Sequence, residues 1–141
     1  IHFAIAPASE RTVFKTTPHM QIVFPASSHY YLHSGAVDMR KGFDSLCGVV
    51  QTQFQMTALS GDVFIFINQH RNRIKLLQWQ GDGFAVFHKR LERGTYEIPK
   101  QNSTSNSILL TSHQLQFILE GIVLSSIRKR RRYERQIVNK T

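Results

Sequence analysis

Cysteine, acidic side chains and long apolar runs are all scarce in this chain. Its 141 residues contain one cysteine, Cys47, so no internal disulfide can staple the fold. No apolar stretch approaches the ~20 residues that a membrane-spanning helix needs, and the first residues lack the basic-then-apolar layout of a secretory signal. Together these absences lead us to expect a soluble, cytoplasmic protein with no membrane partner. Catalytic signatures are missing too: there is no H-E-x-x-H, no CxxC, no G-x-S-x-G elbow and no G-x-x-x-x-G-K-[ST] phosphate loop. Asp38, Asp44, Asp62 and Asp82 could in principle bind Mg²⁺, but helix capping and glycine turns give each a simpler use. Neither a metal nor a cofactor is expected.

What is present is basic charge. Eighteen Lys and Arg face nine Asp and Glu, a formal charge of +9, and two thirds of that excess lies in the last fourteen residues. Arg128, Lys129, Arg130, Arg131 and Arg132 form an unbroken cationic run there. Fixed cations release condensed counterions when they meet phosphates, so such a run suits a nucleic acid before a membrane.

Residues 1–19 show no sustained period and contain two prolines, and read as a leader. Extended pieces are expected at Gln21–Phe24 and His29–His33. Apolar residues at Met39, Phe43, Leu46, Cys47, Val50 and Phe54 mark one stripe of a helix over 38–55, with Asp38 placed to cap it. The run VFIFIN at 63–68 is apolar on both faces, as an interior strand would be. Two β-like runs then flank Gly81-Asp82-Gly83 and predict a hairpin over 73–91.

The faces of that hairpin follow from parity, because odd residues of its first strand share a face with even residues of its second. One face carries Trp79, Leu77, Phe84 and Val86 near the turn, and Arg73, Lys75, His88 and Arg90 toward the open end. The other carries Ile74, Leu76, Ala85 and Phe87. Both faces are partly apolar, so the hairpin must be covered on two sides or pair with another chain. A polar linker (100–110) follows, with a short apolar run at Ile108–Leu110, and then a helix over 112–122 whose T-x-x-Q start at Thr111 and Gln114 is a capping box. The expected class is α+β. A small antiparallel sheet made of the hairpin, strand 63–68 and N-terminal strands packs on helix 38–55, forming a 20–99 core followed by linker and C-terminal segment 111–141.

Four motifs in this order resemble a known family. They are D-M-R-K-x-F-D from Asp38, S-G-x-x-F-x-F from Ser60, R-x-K-x-L-x-W from Arg73, and K-R-L-E-x-G-x-[FY] from Lys89, with a terminal L-E-G-I at 119–122. The chain resembles, from about Met20 to Ile122, the accessory second-reading-frame protein (TnpB-type, Orf2-like) of IS-sixty-six-type bacterial insertion sequences. The resemblance implies a small non-catalytic protein encoded beside a larger transposase and needed for efficient transposition. It also implies a start at Met20, leaving residues 1–19 as upstream sequence foreign to the native protein.

The expected function is therefore DNA binding, or bridging of DNA to the transposase. Arg40, Lys41, Arg71, Arg73, Lys75, His88, Lys89, Arg90, Arg93 and the Arg128–Arg132 run are the expected nucleic-acid contacts. Trp79 and Phe84 are the expected partner contact. Two alternatives stand beside this. One is a small metal-independent ribonuclease of toxin type using His88, Arg90 and Lys75; the other is a pure protein adaptor.

Overall fold

A computed structural model describes residues 28–101 and 104–122. In chain order the elements are β1 (Tyr30–His33), α1 (Phe43–Val49, continued by one π-helical stretch Val50–Phe54), β2 (Val63–Ile67), β3 (Arg73–Trp79), β4 (Phe84–Arg90), β5 (Ser107–Leu110) and α2 (Ser112–Glu120). The strands form one sheet in the order β4-β3-β2-β1-β5. Strand β2 sits at its centre with all five side chains buried, as its two-sided apolar sequence requires.

Both faces of the sheet are covered. Tyr30, Leu32, Ile65, Ile74 and Leu76 point to one side, where they meet Leu115, Ile118 and Leu119 of α2 and the buried Tyr96. Phe64, Phe66 and Leu77 point to the other, against Leu46, Val50 and Phe54 from α1 and its extension. The Phe54 ring lies 6.0 Å from that of Phe66 and 5.6 Å from that of Phe64. Each fully buried side chain of this size contributes about 1.5–3 kcal/mol of transfer free energy. Helix α1 is short and interrupted by Gly48, so packing on the sheet, more than helix propensity, keeps it formed.

The α+β class holds, with three differences from the sequence expectation. One strand pair is parallel: β1 runs alongside β2 in the same direction, with residues 34–62 as the crossover and α1 inside it. Parallel neighbours need a long connection of this kind, whereas the other three pairs are antiparallel. Asp38 does not cap the helix. Its carboxylate accepts the Arg40 backbone N–H (2.9 Å) and grips the Arg40 guanidinium (2.6 and 3.0 Å), closing a turn, and α1 begins five residues later behind Gly42. Finally, Ser107–Leu110, within the expected linker, is an edge strand paired with β1.

Two local expectations hold in detail. Thr111 Oγ1 accepts from Gln114 N (3.1 Å) while Gln114 Oε1 accepts from Thr111 N (2.9 Å), a complete capping box for α2. The helix ends at Gly121 with φ +80°, and Ile122 N donates to Phe117 O, which gives the L-E-G-I motif its physical sense. Strand Gln21–Phe24, the leader, the Met20 start and the 128–132 run lie outside the described residues.

Candidate nucleic-acid interface

The hairpin register is the one that parity predicts. Gln80 N donates to Gly83 O at 2.8 Å, and Gly81 takes φ +91°, so Gly81-Asp82 is a two-residue turn. The pairs that follow are Trp79 with Phe84, Leu77 with Val86, Lys75 with His88, and Arg73 with Arg90. All eight of these side chains share the α1 side of the sheet. Near the turn the face is apolar, and the Trp79 and Phe84 rings meet edge to face at 4.9 Å. Toward the open end it is cationic.

The β2–β3 connection holds that open end rigid. Asn68 Oδ1 accepts from Asn72 N (3.0 Å) and Arg73 N (2.9 Å), and Asn68 Nδ2 donates to Asn72 Oδ1 (2.8 Å). Arg71 adopts φ +57°; its carbonyl accepts from Tyr96 N at 2.6 Å, tying the turn to the segment after the hairpin. The backbone on which Arg71 and Arg73 stand is therefore set by the Asn68 side chain.

Lys75 joins this end to the turn before α1. Its Nζ donates to Lys41 O at 2.7 Å, bringing Arg40 and Lys41 alongside the hairpin. Burial lowers the Lys75 pKa, opposed by the charge of Asp38. Arg73 borders two neighbouring depressions. One, of about 640 Å³, runs between the 36–40 turn and the β2–β3 connection and includes Asp38, Arg40, His70 and Arg73. The other, of about 310 Å³, is bounded by Arg73, His88, Arg90 and Glu92. Burial, then the charges of Lys75 and Arg73, pull the His88 pKa below its ordinary value.

Two arginines of the face have acidic neighbours. Arg40 is paired with Asp38, whose carboxyl is held far below the usual range by hydrogen bonds from Arg40. Arg90 Nε donates to Glu92 at 2.9 Å. Among the described residues Arg73 has no ion pair.

Of the expected contacts, Arg40, Lys41, Arg73, Lys75, His88 and Arg90 come together, and the exposed Arg71 stands at the adjoining turn. Lys89 does not join them: it pairs with Ile74 and belongs to the opposite face. Arg93 is exposed in the loop beyond Glu92. His70, a groove residue, carries no sequence signal beyond its place in a polar turn.

The chain also contains one H-x-x-x-H spacing, His29 and His33. On a helix it would put both rings on one side, but here it lies on extended backbone. His29 sits 3.4 Å from Asp62, while the buried His33 is held by Gln53 and Gly35 against the Phe54 ring. Among the described residues no three His, Cys, Asp or Glu converge as a metal site would need. No helix among them is long and apolar enough to cross a membrane.

Comparison with known proteins places the chain in a family. The family model described as IS66 Orf2 like protein matches residues 28–129. Two proteins of Sinorhizobium fredii (strain NBRC 101917 / NGR234) are similar to it. The uncharacterized protein y4hO is 33% identical over 92 residues, covering 65% of this chain and 78% of y4hO. The uncharacterized protein y4jC is 30% identical over 63 residues, covering 45% of this chain and 54% of y4jC. No solved structure matches. The family match covers every strand and helix described above, including both halves of the cationic face, and the chain therefore belongs to the IS66 Orf2-like family of insertion-sequence proteins.

Proposed function

We propose that this insertion-sequence protein is a non-catalytic accessory factor that binds DNA through the cationic end of its hairpin face and brings it to the transposase of the same element. The observation that carries the proposal is the convergence of Arg73, Lys75, His88 and Arg90 with Arg40 and Lys41 on one side of the sheet. Asp38 and Glu92 are the acids that stand among them. Such a face can lay cations along phosphates, which supplies affinity and position on the duplex. The half-exposed Trp79 and Phe84 lie on the same face, and Phe84 lines a depression of mixed character with Cys47, Met56 and the exposed Leu59 beside Asp44, Gln51 and Gln55. That combination suits a protein contact beside the DNA contact.

The test is binding of duplex DNA by the full chain across a salt titration, with Arg73→Gln and Arg90→Gln as variants. Each lost phosphate contact should flatten the plot of log affinity against log salt by about 0.9. Binding that is absent at low salt, or a slope that neither variant changes, overturns the DNA assignment. Capture of the transposase from cells carrying the whole element, with and without nuclease, tests the bridging role. Retention that survives nuclease but is lost in Trp79→Ala supports a direct protein contact.

A further inference from the structure

The cationic end of the hairpin is built against itself. Hydrogen bonds from Gln80 N to Gly83 O and from Leu91 N to Asn72 O fix which pairs along the ladder exchange backbone bonds. Counting from either end, Arg73 with Arg90 and Lys75 with His88 are both non-hydrogen-bonded pairs. Opposed Cα atoms in such pairs are only about 4.5 Å apart, and like charges directly opposite one another destabilise a sheet. Arg73 with Arg90 is such a like-charge pair, and Lys75 with His88, next along the same face, becomes one when the imidazole is protonated.

The neighbours do not remove the conflict. Lys75 Nζ gives one of its three N–H donors to Lys41 O and does not line the depression, so it contributes field there rather than a contact. Glu92 engages Arg90 at Nε, and among the described residues the terminal nitrogens of Arg90 have no partner. Arg73 has no ion pair among them. His88 thus faces Arg73 and Lys75 from β3 and Arg90 on its own strand, with the Glu92 carboxylate also lining the depression. From the turn before α1, Lys41 and the Asp38–Arg40 pair flank Lys75.

We infer that the depression bounded by Arg73, His88, Arg90 and Glu92 is a seat for one phosphate group held by the three basic side chains, and that filling it places a proton on the His88 imidazole. This rests on the DNA-binding proposal only for where the phosphate comes from: the diester backbone or a terminal monoester. Arg73 and Arg90 supply N–H donors from opposite strands. Without an anion, burial and then the charges of Lys75 and Arg73 lower the His88 pKa and favour the neutral imidazole. A phosphate reverses the local field, and the imidazole takes one proton from solvent and becomes a third donor. Occupancy then depends on pH as well as on salt.

The experiment is an NMR titration of the His88 imidazole in the full chain, assigned with His88→Gln. It is run alone, with inorganic phosphate, with a duplex lacking terminal phosphates, and with the same duplex phosphorylated at its 5′ ends. Phosphate should raise the His88 midpoint by about one unit, which makes binding about tenfold tighter below the midpoint than above it. Arg73→Gln or Arg90→Gln should abolish the rise, and His88→Gln should remove the roughly tenfold pH dependence of affinity for the duplex lacking terminal phosphates, whose diesters do not themselves titrate in this range. A rise with either duplex supports the seat; the unphosphorylated duplex identifies the backbone as its source, and a rise confined to the phosphorylated duplex identifies the end group. A midpoint unmoved by inorganic phosphate and by both duplexes overturns the seat, and DNA binding in that same experiment leaves the broader proposal standing. A rise with inorganic phosphate but no duplex binding keeps the seat and overturns the DNA proposal.

Discussion

The two ends of the β3–β4 hairpin are made from the same backbone on the same face, yet they are put together on opposite principles. Near the turn, Leu77 faces Val86 and Trp79 meets Phe84 edge to face, so each cross-strand pair is favourable and α1 covers part of it. At the open end, Arg73 faces Arg90, a like-charge pair that opposes folding, and Lys75 faces His88, which adds to the repulsion when protonated; a hydrogen bond to Lys41 O and an ion pair to Glu92 temper them. The first end explains why the hairpin forms. The second is hard to explain by stability and suits a surface completed by an anion.

This contrast can be broken most forcefully at the turn end. Leu77 is fully buried beneath α1, and Leu77→Ala should cost about 2–5 kcal/mol in urea denaturation. Trp79→Ala removes a half-exposed ring and its partner contact and should cost about 1–2 kcal/mol, with DNA affinity unchanged. At the open end Asn68→Ala deletes the acceptor for two backbone N–H groups and should cost about 1 kcal/mol, with weaker DNA binding because Arg73 loses its fixed base. The smallest stability change belongs to Arg90→Gln, and its sign is the sharpest test. Relieving a like-charge pair should leave stability unchanged or raise it by a few tenths of a kcal/mol, while DNA binding falls. A clear loss of stability in Arg90→Gln would mean that the two ends are not different in kind.

Acid offers a further way to separate them. The His88 pKa is lowered in the folded chain, so as pH falls through the ordinary histidine range the unfolded chain takes up that proton first. Its effect on stability is absent above that range and becomes a loss on acidification, beginning near pH ~6.5. Thermal unfolding of wild type and His88→Gln across this range should converge at high pH and diverge at low pH, with the variant the more stable.

The register of the hairpin was legible because a glycine-bounded two-residue turn fixes parity, and parity alone puts Arg73, Lys75, His88 and Arg90 together and Lys89 opposite them. Strand β5 was not legible. Four residues, Ser-Ile-Leu-Leu, carry too short a pattern to distinguish an edge strand from an apolar patch, and what makes them a strand is the free edge of β1. Asp38 shows a different limit. An aspartate ahead of an apolar stripe fits a helix cap and a turn bound to Arg40 equally well, and only the Lys75 tether, which spans 34 residues of sequence, reveals why the turn is there. His70 joins the groove through tertiary placement that no local pattern encodes.

The strand order has one more consequence. Strand β4 is at one edge of the sheet and β5 at the other, so the chain that joins them must travel the full width of the molecule. On the way Leu91, Tyr96 and Ile98 pack onto the face that α2 also covers, and Tyr96 N is bonded to the Arg71 carbonyl. This connection works as a girth strap. Its packed residues and the Tyr96 bond tie the hairpin's open end to the core that α2 closes, and not to the neighbouring strand alone.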